Sequence, residues 1–445
     1  MSVLPSSPRL RRILAAYTIN QLGTWFGTVA LSVAVYDHTH SAVAVTALFL
    51  ARFLPALAVP ALVARVEASP RRGRLSAIYA LEAVCAAAIA ALVWQFWLPA
   101  ILALVALDGA GALVASALLR TEAARADPSQ PRDPAAQHDS YEPTSSPSTP
   151  DALLGGDLDA EAATPAGHDA NAALNIALSA SVVVGPILAA GAVQLFGAPV
   201  AMLIDAGSFL VCGALLIDLH PYVEERTGTS VLERLGAAWS YLRETPTLRA
   251  LLLTEAAALI FFETGAPAEV LYAKSTLHAG DLGYGRLLSA WGVGMVLGSI
   301  LFARVGKRSL GGMLTGGTCA VGLAYIGFAA APSLALAAIA AAIGGIGNGV
   351  QWASLIGTVQ QLTPQRLHGR LMGTVESIGA LCPLIGLPLS ALVLTLGSPR
   401  VAFLVFGLAA AAATAGFLRL WMGWRVAIDG SGASAEHPGT SGGGL

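Results

Sequence analysis

The sequence predicts an all-α integral membrane protein with twelve transmembrane helices in two pseudo-symmetric six-helix halves. The chain of 445 residues is 55% hydrophobic and only 12% charged, and its mean hydropathy is +0.68. Soluble globular proteins have a very different composition. Apolar runs of about 20 residues, the length that crosses a bilayer, follow one another along the chain, and one such stretch occurs twice.

Twelve apolar runs are expected to be spans. Backbone polar groups in lipid must be satisfied within their own segment, so each run should be a helix. The runs cover residues 13–36, 42–66, 74–94, 98–119, 172–194, 198–219, 248–272, 283–304, 309–330, 333–361, 370–396 and 398–421.

The spans divide the chain into two halves. The N-terminal half, residues 1–219, contains an insertion at 121–170 that is rich in Pro, Ser, Asp and Ala. Such a segment cannot bury a core, so we expect it to be disordered and cytoplasmic. Residues 220–247 form a cytoplasmic linker, residues 248–421 form the C-terminal half, and the Gly- and Ser-rich tail 422–445 is expected to be disordered and cytoplasmic.

The stretch that occurs twice is an apolar run followed by a short basic turn. The first copy ends in Arg71-Arg72-Gly73-Arg74, and the second ends in Gly306-Lys307-Arg308. Short cationic hairpins between spans belong on the cytoplasmic side. A spacing of roughly 240 residues between the copies implies two halves with the same orientation.

The positions of the basic residues predict that both termini are cytoplasmic. Of the 25 lysines and arginines, only Lys274, Arg286 and Arg400 then fall at the outer ends of spans, and Arg52 falls within one. Positive charge is concentrated in cytoplasmic loops. The scarcity of lysine beside arginine is typical of a GC-rich bacterial genome, so a bacterial inner membrane is the expected location.

The second basic turn resembles the loop motif of the major facilitator superfamily, G-x-L-x-D-R-x-G-R-R. The stretch Leu301-Phe-Ala303-Arg304-Val-Gly306-Lys307-Arg308 matches it at the Leu, the Arg, the second Gly and the basic pair. The acid of the motif is replaced by Ala303 here and by Ala64 in the first copy. By this resemblance, the gating-loop candidates are Arg65, Arg72, Arg304, Lys307 and Arg308.

Other stretches are similar to the branch of this superfamily that contains macrolide-efflux and enterobactin-exporter proteins. They are Gln21-Leu-Gly23, Tyr36-Asp37, Leu203-Ile-Asp205 and Gly283-Tyr-Gly285. Val184-Gly185-Pro186 resembles a helix kink that is associated with antiporters. The resemblance implies the major facilitator fold and a secondary transporter that works by alternating access.

Ionisable residues within the spans are functional candidates, because a charge at a helix centre costs about 2.5–3.5 kcal/mol on insertion scales. The proton-coupling candidates are Glu263, Glu255 and Asp108. Glu263 ranks first because its surroundings in the seventh span correspond to Trp25-Phe26-Gly27-Thr28 in the first, and both spans should face the central cavity. Two alternatives remain: Glu255 meets Arg249 near the inner surface, or Asp108 forms a static ion pair with Arg52. Glu82 is expected to reach water at an inner end.

A cavity for a bulky amphipathic compound is expected from polar and aromatic residues in the spans. Packing between helices, or contact with lipid, is the alternative role for such aromatic residues. The substrate-cavity candidates are Arg52, Trp25, Phe26, Phe261, Phe262, Gln351 and Trp352.

No cofactor, metal or nucleic acid is expected. The spacing of His38-Thr-His40 suits a metal pair, but further ligands are missing and an outer loop is the preferred interpretation. The run Gly344-Gly345-Ile-Gly347-Asn-Gly349 follows an apolar helix rather than a strand, so close helix packing is expected instead of a nucleotide loop. We find no paired nucleophile and base, so the protein should not be an enzyme.

The expected function is proton-coupled export of a bulky amphipathic small molecule, such as a drug or a macrolide-like compound. One alternative is export of a siderophore or another secondary metabolite. An alternative of another class is a transporter-like receptor or assembly partner that no longer transports. The expected partners are the substrate, protons and the lipid bilayer, and the chain is expected to be a monomer.

Overall fold

The computed structural model describes residues 8–58, 73–126, 168–218, 241–305, 310–363 and 368–433. These residues form helices joined by short turns. The N-terminal half consists of α1 (Pro8–Thr39), α2 (Ala42–Phe53, continued by a 3-10 turn at Leu54–Leu57), α3 (Arg74–Gln95), α4 (Leu98–Ala126), α5 (His168–Phe196) and α6 (Ala198–Leu215). The C-terminal half consists of α7 (Pro246–Glu263, then Gly265–Leu271 and a π-helical turn Tyr272–Thr276), α8 (Gly280–Val305), α9 (Leu310–Ala330), α10 (Leu334–Gln361), α11 (His368–Leu396) and α12 (Pro399–Ala433).

Ten of these helices are long and apolar enough to cross a membrane, within the ranges that the structure covers. Helix α1, with 32 residues, and the shorter apolar stretch Ala42–Leu57 complete the set. Large apolar side chains point away from the bundle, and Leu195, for example, is 76% exposed. Such an exposed apolar surface fits a lipid environment. The structure and the sequence therefore agree on an all-α membrane fold.

The two halves repeat one packing scheme. In the N-terminal half, α1 packs on α5 and α6, α3 packs on α4 and α6, and α2 packs on α4. In the C-terminal half, α7 packs on α11 and α12, α9 packs on α10 and α12, and α8 packs on α10. Each pair in the second half is the first-half pair shifted by six helices. This repetition confirms the predicted pseudo-symmetry.

The contacts between the halves follow the same symmetry. Helix α5 packs on α8, and α2 packs on α11. Gly285 of α8 faces the backbone of Pro186 and Ile187 in α5, and Gly292 faces the backbone of Val182 in the same helix. Small residues let helix backbones approach closely in a membrane. The proline of the antiporter-like kink therefore lies at the interface between the halves.

The glycine run of α10 has the packing role that the sequence predicts. Gly345 lies against the backbone of Trp291 and Gly294 in α8, and Gly347 lies against Gly317 in α9. A side chain at either glycine would overlap the neighbouring backbone. The run lets α10 approach two helices at once.

The predicted bounds of two disordered segments differ from the structure. Helix α12 continues to Ala433, so the predicted disordered tail does not begin at residue 422. Helix α4 extends to Ala126 and α5 begins at His168, which shortens the insertion at both ends. The predictions for residues 127–167, most of the linker 220–247 and residues 434–445 lie outside the described residues.

Candidate functional site

Helix α7 is broken near its middle, at Thr264. Its first segment ends at Glu263 and its second begins at Gly265. Pro267 has no N–H to donate to the Glu263 carbonyl, which lies one helical turn before it. Pro267 therefore interrupts the backbone hydrogen-bond pattern of the α-helix.

Two neighbouring helices donate hydrogen bonds to the carbonyl groups on either side of Glu263. The Tyr325 hydroxyl of α9 donates to the Phe262 carbonyl at 3.2 Å. The Ser390 hydroxyl of α11 donates to the Thr264 carbonyl at 2.7 Å. Interrupted helices are tolerated at membrane depth where protein groups replace the lost hydrogen bonds. Helices of the same half therefore stabilise the break in α7.

The first segment of α7 lines a small cavity, and all the wall residues described belong to the C-terminal half. Helices α9, α10 and α12 supply the other walls. The cavity brings together five of the residues that the sequence analysis selected, namely Glu255, Phe261, Phe262, Gln351 and Trp352. The space inside it is about 20 Å³, which holds about one water molecule, so a bulky ligand needs a more open conformation than the one described here.

Glu255 is the acidic group of this cavity. Its side chain is buried, with 2% exposure. The Gln351 side-chain amide of α10 donates to both Glu255 carboxylate oxygens, at 3.2 and 3.3 Å. Arg249 is exposed and forms no ion pair with Glu255 in the structure. The alternative pairing of Glu255 with Arg249 is therefore wrong, because Glu255 faces α10.

Aromatic rings form the apolar part of the site. Phe262 and Trp291 have ring centroids 5.7 Å apart, and Trp291 stacks on Tyr325 at 6.1 Å. Tyr325 also meets Phe406 edge to face at 6.1 Å. Buried aromatic pairs of this kind hold one another in defined orientations. Phe262, Tyr325 and Phe406 of this set line the cavity, so much of the wall around Glu255 is aromatic.

Glu263 is placed differently from Glu255. It is only partly buried, does not line the cavity, and has no hydrogen bond or ion pair with any other described residue. Its position at the end of the first segment of α7 is therefore compatible with its predicted role, which the structure does not test. The geometry instead singles out Glu255 as the carboxylate with a defined partner.

Trp25 and Phe26 are not part of this cavity. Trp25 of α1 packs against Gly185 of α5, and both aromatic side chains contact the buried core of the bundle. They occupy the helix-packing role that was the alternative for the aromatic candidates.

Arg52 and Asp108 form the ion pair that the sequence suggested, with 3.5 Å between Arg52 Nη1 and Asp108 Oδ2. The pair joins α2 to α4 and lies outside the cavity.

Of the gating-loop candidates, Arg304 lies in the last turn of α8. The other candidates fall outside the described residues, namely Arg65, Arg72, Lys307 and Arg308.

The sequence analysis missed two groups of charged residues. Glu82 is buried, with 1% exposure, so its predicted contact with water at an inner end is wrong.

Lys274 Nζ lies 2.6 Å from Asp37 Oδ1 and 2.5 Å from Asp281 Oδ1. We call Asp37, Lys274 and Asp281 the Lys274 cluster; it joins α1 of one half to α7 and α8 of the other.

The described residues contain no group of three or more His, Cys, Asp or Glu side chains that could hold a metal ion. His38 stacks on Phe96, and its Nδ1 lies 2.8 Å from the Ala34 carbonyl oxygen. These contacts favour the interpretation of His38 as a structural residue near the end of α1.

Comparison with known proteins identifies the fold. Residues 256–438 match the family model described as Major Facilitator Superfamily. The nucleoside transporter NupG superposes with a TM-score of 0.68 at 12% identity, over 93% of this chain and 99% of its own. A bacterial homologue of the iron transporter ferroportin, in an inward-facing state, gives a TM-score of 0.65 at 16% identity, over 92% and 98% of the two chains.

The transporter PepTSo of the POT family also superposes, with a TM-score of 0.64 at 13% identity, over 95% of this chain and 99% of its own. No curated protein sequence matches this chain. Identities this low establish the fold alone.

Proposed function

We infer that this chain is a transporter of the major facilitator type, because its helices adopt that fold and residues 256–438 match that superfamily. In this fold, the two halves rock against each other around a substrate site and expose it alternately to either side. We further propose that the cargo is a bulky amphipathic compound and that protons drive its export.

The observation that carries this proposal is the Glu255–Gln351 pair in the aromatic cavity. A buried ionised carboxylate is costly unless its charge is compensated as well as hydrogen-bonded, and the neutral Gln351 amide supplies no charge. Among the described residues, the cavity lining contains no basic side chain that could neutralise Glu255. Either a proton or a cationic ligand can therefore satisfy this site, and the two would compete for the same oxygen atoms.

The cavity chemistry also narrows the class of substrate. Aromatic faces attract cations and bury apolar surface, and Phe261, Phe262 and Trp352 supply such faces beside Glu255. These features favour an amphipathic cation. They argue against an anionic siderophore, because such a ligand would meet a carboxylate and no positive charge. A receptor or assembly partner that does not transport would have no need of a proton-accepting group in a cavity.

The proposed location is a bacterial inner membrane with both termini in the cytoplasm. In this orientation, the turn between α1 and α2 lies on the outer side, together with the Lys274 cluster. Proton entry from outside would then accompany export of the cation.

Inverted membrane vesicles test direction and coupling together. The lumen of such vesicles corresponds to the outside of the cell, so an acidic lumen should drive uptake of the fluorescent cation ethidium. Vesicles from cells without the protein give the background, and an uncoupler should return uptake to that background. Uptake equal to the background with the pH gradient in place would argue against proton-driven export of this class of cation.

A further inference from the structure

The N-terminal half contains a second set of buried ionisable groups that the Glu255 cavity does not include. Arg52 lies on α2, Glu82 on α3, Asp108 on α4 and Asp205 on α6. Glu82 is 1% exposed and Asp205 is 5% exposed. Each of the four residues comes from a different helix, so the fold rather than the local sequence brings them together.

Several carboxylate oxygens in this set have no partner. Arg52 pairs with Asp108 Oδ2, but Asp108 Oδ1, Asp205 Oδ1 and both Glu82 oxygens accept no hydrogen bond from the described residues. Buried polar atoms are nearly always hydrogen-bonded in native proteins. We therefore expect these unpartnered oxygens to have a partner that is not among the described side chains.

The carboxyl groups of Glu82 and Asp205 lie against glycines of neighbouring helices. Glu82 lies within electrostatic reach of Arg52, Asp108 and Asp205. A side chain added at Gly111 of α4 would touch the Glu82 side chain, and one added at Gly27 of α1 would overlap the Asp205 carboxylate. Glu82 and Asp205 thus point into the interior of the half rather than towards lipid.

Charge balance indicates what binds there. Three carboxylates surround a single guanidinium group, which leaves two negative charges uncompensated if all three acids are ionised. An isolated buried charge is far more costly than a neutral carboxyl group. The other titratable groups nearby are tyrosine and cysteine side chains, which supply no positive charge, namely Tyr17, Tyr79, Cys85 and Cys212. The described acids are not placed to hold a metal ion together.

We propose that Glu82 and Asp205 form a second proton-binding site, in which Asp108 stays paired with Arg52. Both carboxyl groups carry a proton at neutral pH when the protein has the conformation described here. The site is separate from the Glu255 cavity, and its occupancy by protons does not depend on the transported compound.

Infrared spectroscopy of the purified full-length protein tests the site without a transport assay. At neutral pH the wild type should show the carbonyl absorption of protonated carboxyl groups. Glu82→Gln and Asp205→Asn should each remove the intensity of one carboxyl group from that band. Asp218→Asn serves as the matched control, because the Asp218 side chain is 80% exposed, and it should leave the band unchanged.

A second measurement covers the case in which a variant fails to fold. Wild-type protein made with isotope-labelled aspartate should show part of the same band shifted, because Asp205 is protonated. An unshifted band would show that Asp205 is ionised, and unchanged spectra in both folded variants would show that both carboxyl groups are ionised. Either result would overturn the proposal. Export of ethidium could still be proton-driven through Glu255 in that case.

Discussion

Glu255→Gln is expected to reduce gradient-driven ethidium uptake in inverted vesicles to the level measured without a pH gradient. Glutamine has nearly the same volume as glutamate and can still hydrogen-bond to Gln351, so the cavity should keep its shape. The amide can neither bind and release a proton nor attract a cation by charge. Hydrogen bonds to charged groups contribute about 1.5–3 kcal/mol, so ethidium affinity should also fall by roughly tenfold or more.

Two further variants make this result specific. Glu244→Gln replaces an exposed glutamate just before α7 and should transport like the wild type. Glu263→Gln tests the residue that ranks first by sequence. If Glu263→Gln abolishes driven uptake and Glu255→Gln does not, proton coupling belongs to the break in α7 and not to the cavity.

Lys274→Met is expected to open the end of the bundle that holds the Lys274 cluster. The Lys274 side chain is 13% exposed and contacts two carboxylates, one from each half of the molecule. Removing its charge leaves Asp37 and Asp281 facing each other without a cation. Because the Asp37 side chain is 45% exposed, we expect a destabilisation of the closed end of about 1–3 kcal/mol. That change corresponds to roughly a fivefold or greater shift between the closed and open states.

Spin labels on the two sides of this end measure the effect. With labels at Thr39, the last residue of α1, and at Ala279, just before α8, the distance distribution should move to longer values in Lys274→Met. Lys274→Arg keeps the charge and should retain most of the short-distance population. An unchanged distribution in Lys274→Met would show that apolar packing, rather than this cluster, holds the end closed.

The fold could be predicted from the sequence because the bilayer imposes strong rules. Spans must be apolar and helical, and the duplicated basic turn indicated two halves of the same orientation. The packing role of the glycine run in α10 also followed from its composition. The end of α12 was misplaced because the Gly- and Ser-rich residues that follow Arg425 resemble a disordered tail in composition, yet the helix continues to Ala433.

The candidate site could be predicted only in part. Glu255 was selected as an ionisable residue within a span. Phe261, Phe262, Gln351 and Trp352 were selected as aromatic and polar residues that could line a cavity. The bond between Glu255 and Gln351 depends on how α7 packs beside α10, which no local pattern encodes. Pro267 was a signal for the break in α7 that the sequence analysis did not use.

Glu82 was misjudged for a related reason. Glu82 lies towards the inner end of its predicted span in the sequence, which suggested contact with water. The surroundings of its side chain depend instead on how α4 and α6 pack beside α3. Those helices bring Asp108 and Asp205 towards it, and their positions follow from tertiary packing alone.

The central claim is that a proton and a cationic substrate compete for Glu255. The most direct test is to measure proton release when ethidium is added to the purified protein in weakly buffered detergent solution. The wild type should release protons in proportion to the ethidium bound, and Glu255→Gln should release none at equal occupancy. Equal proton release by the two proteins would contradict the account, because the displaced proton would then come from another group.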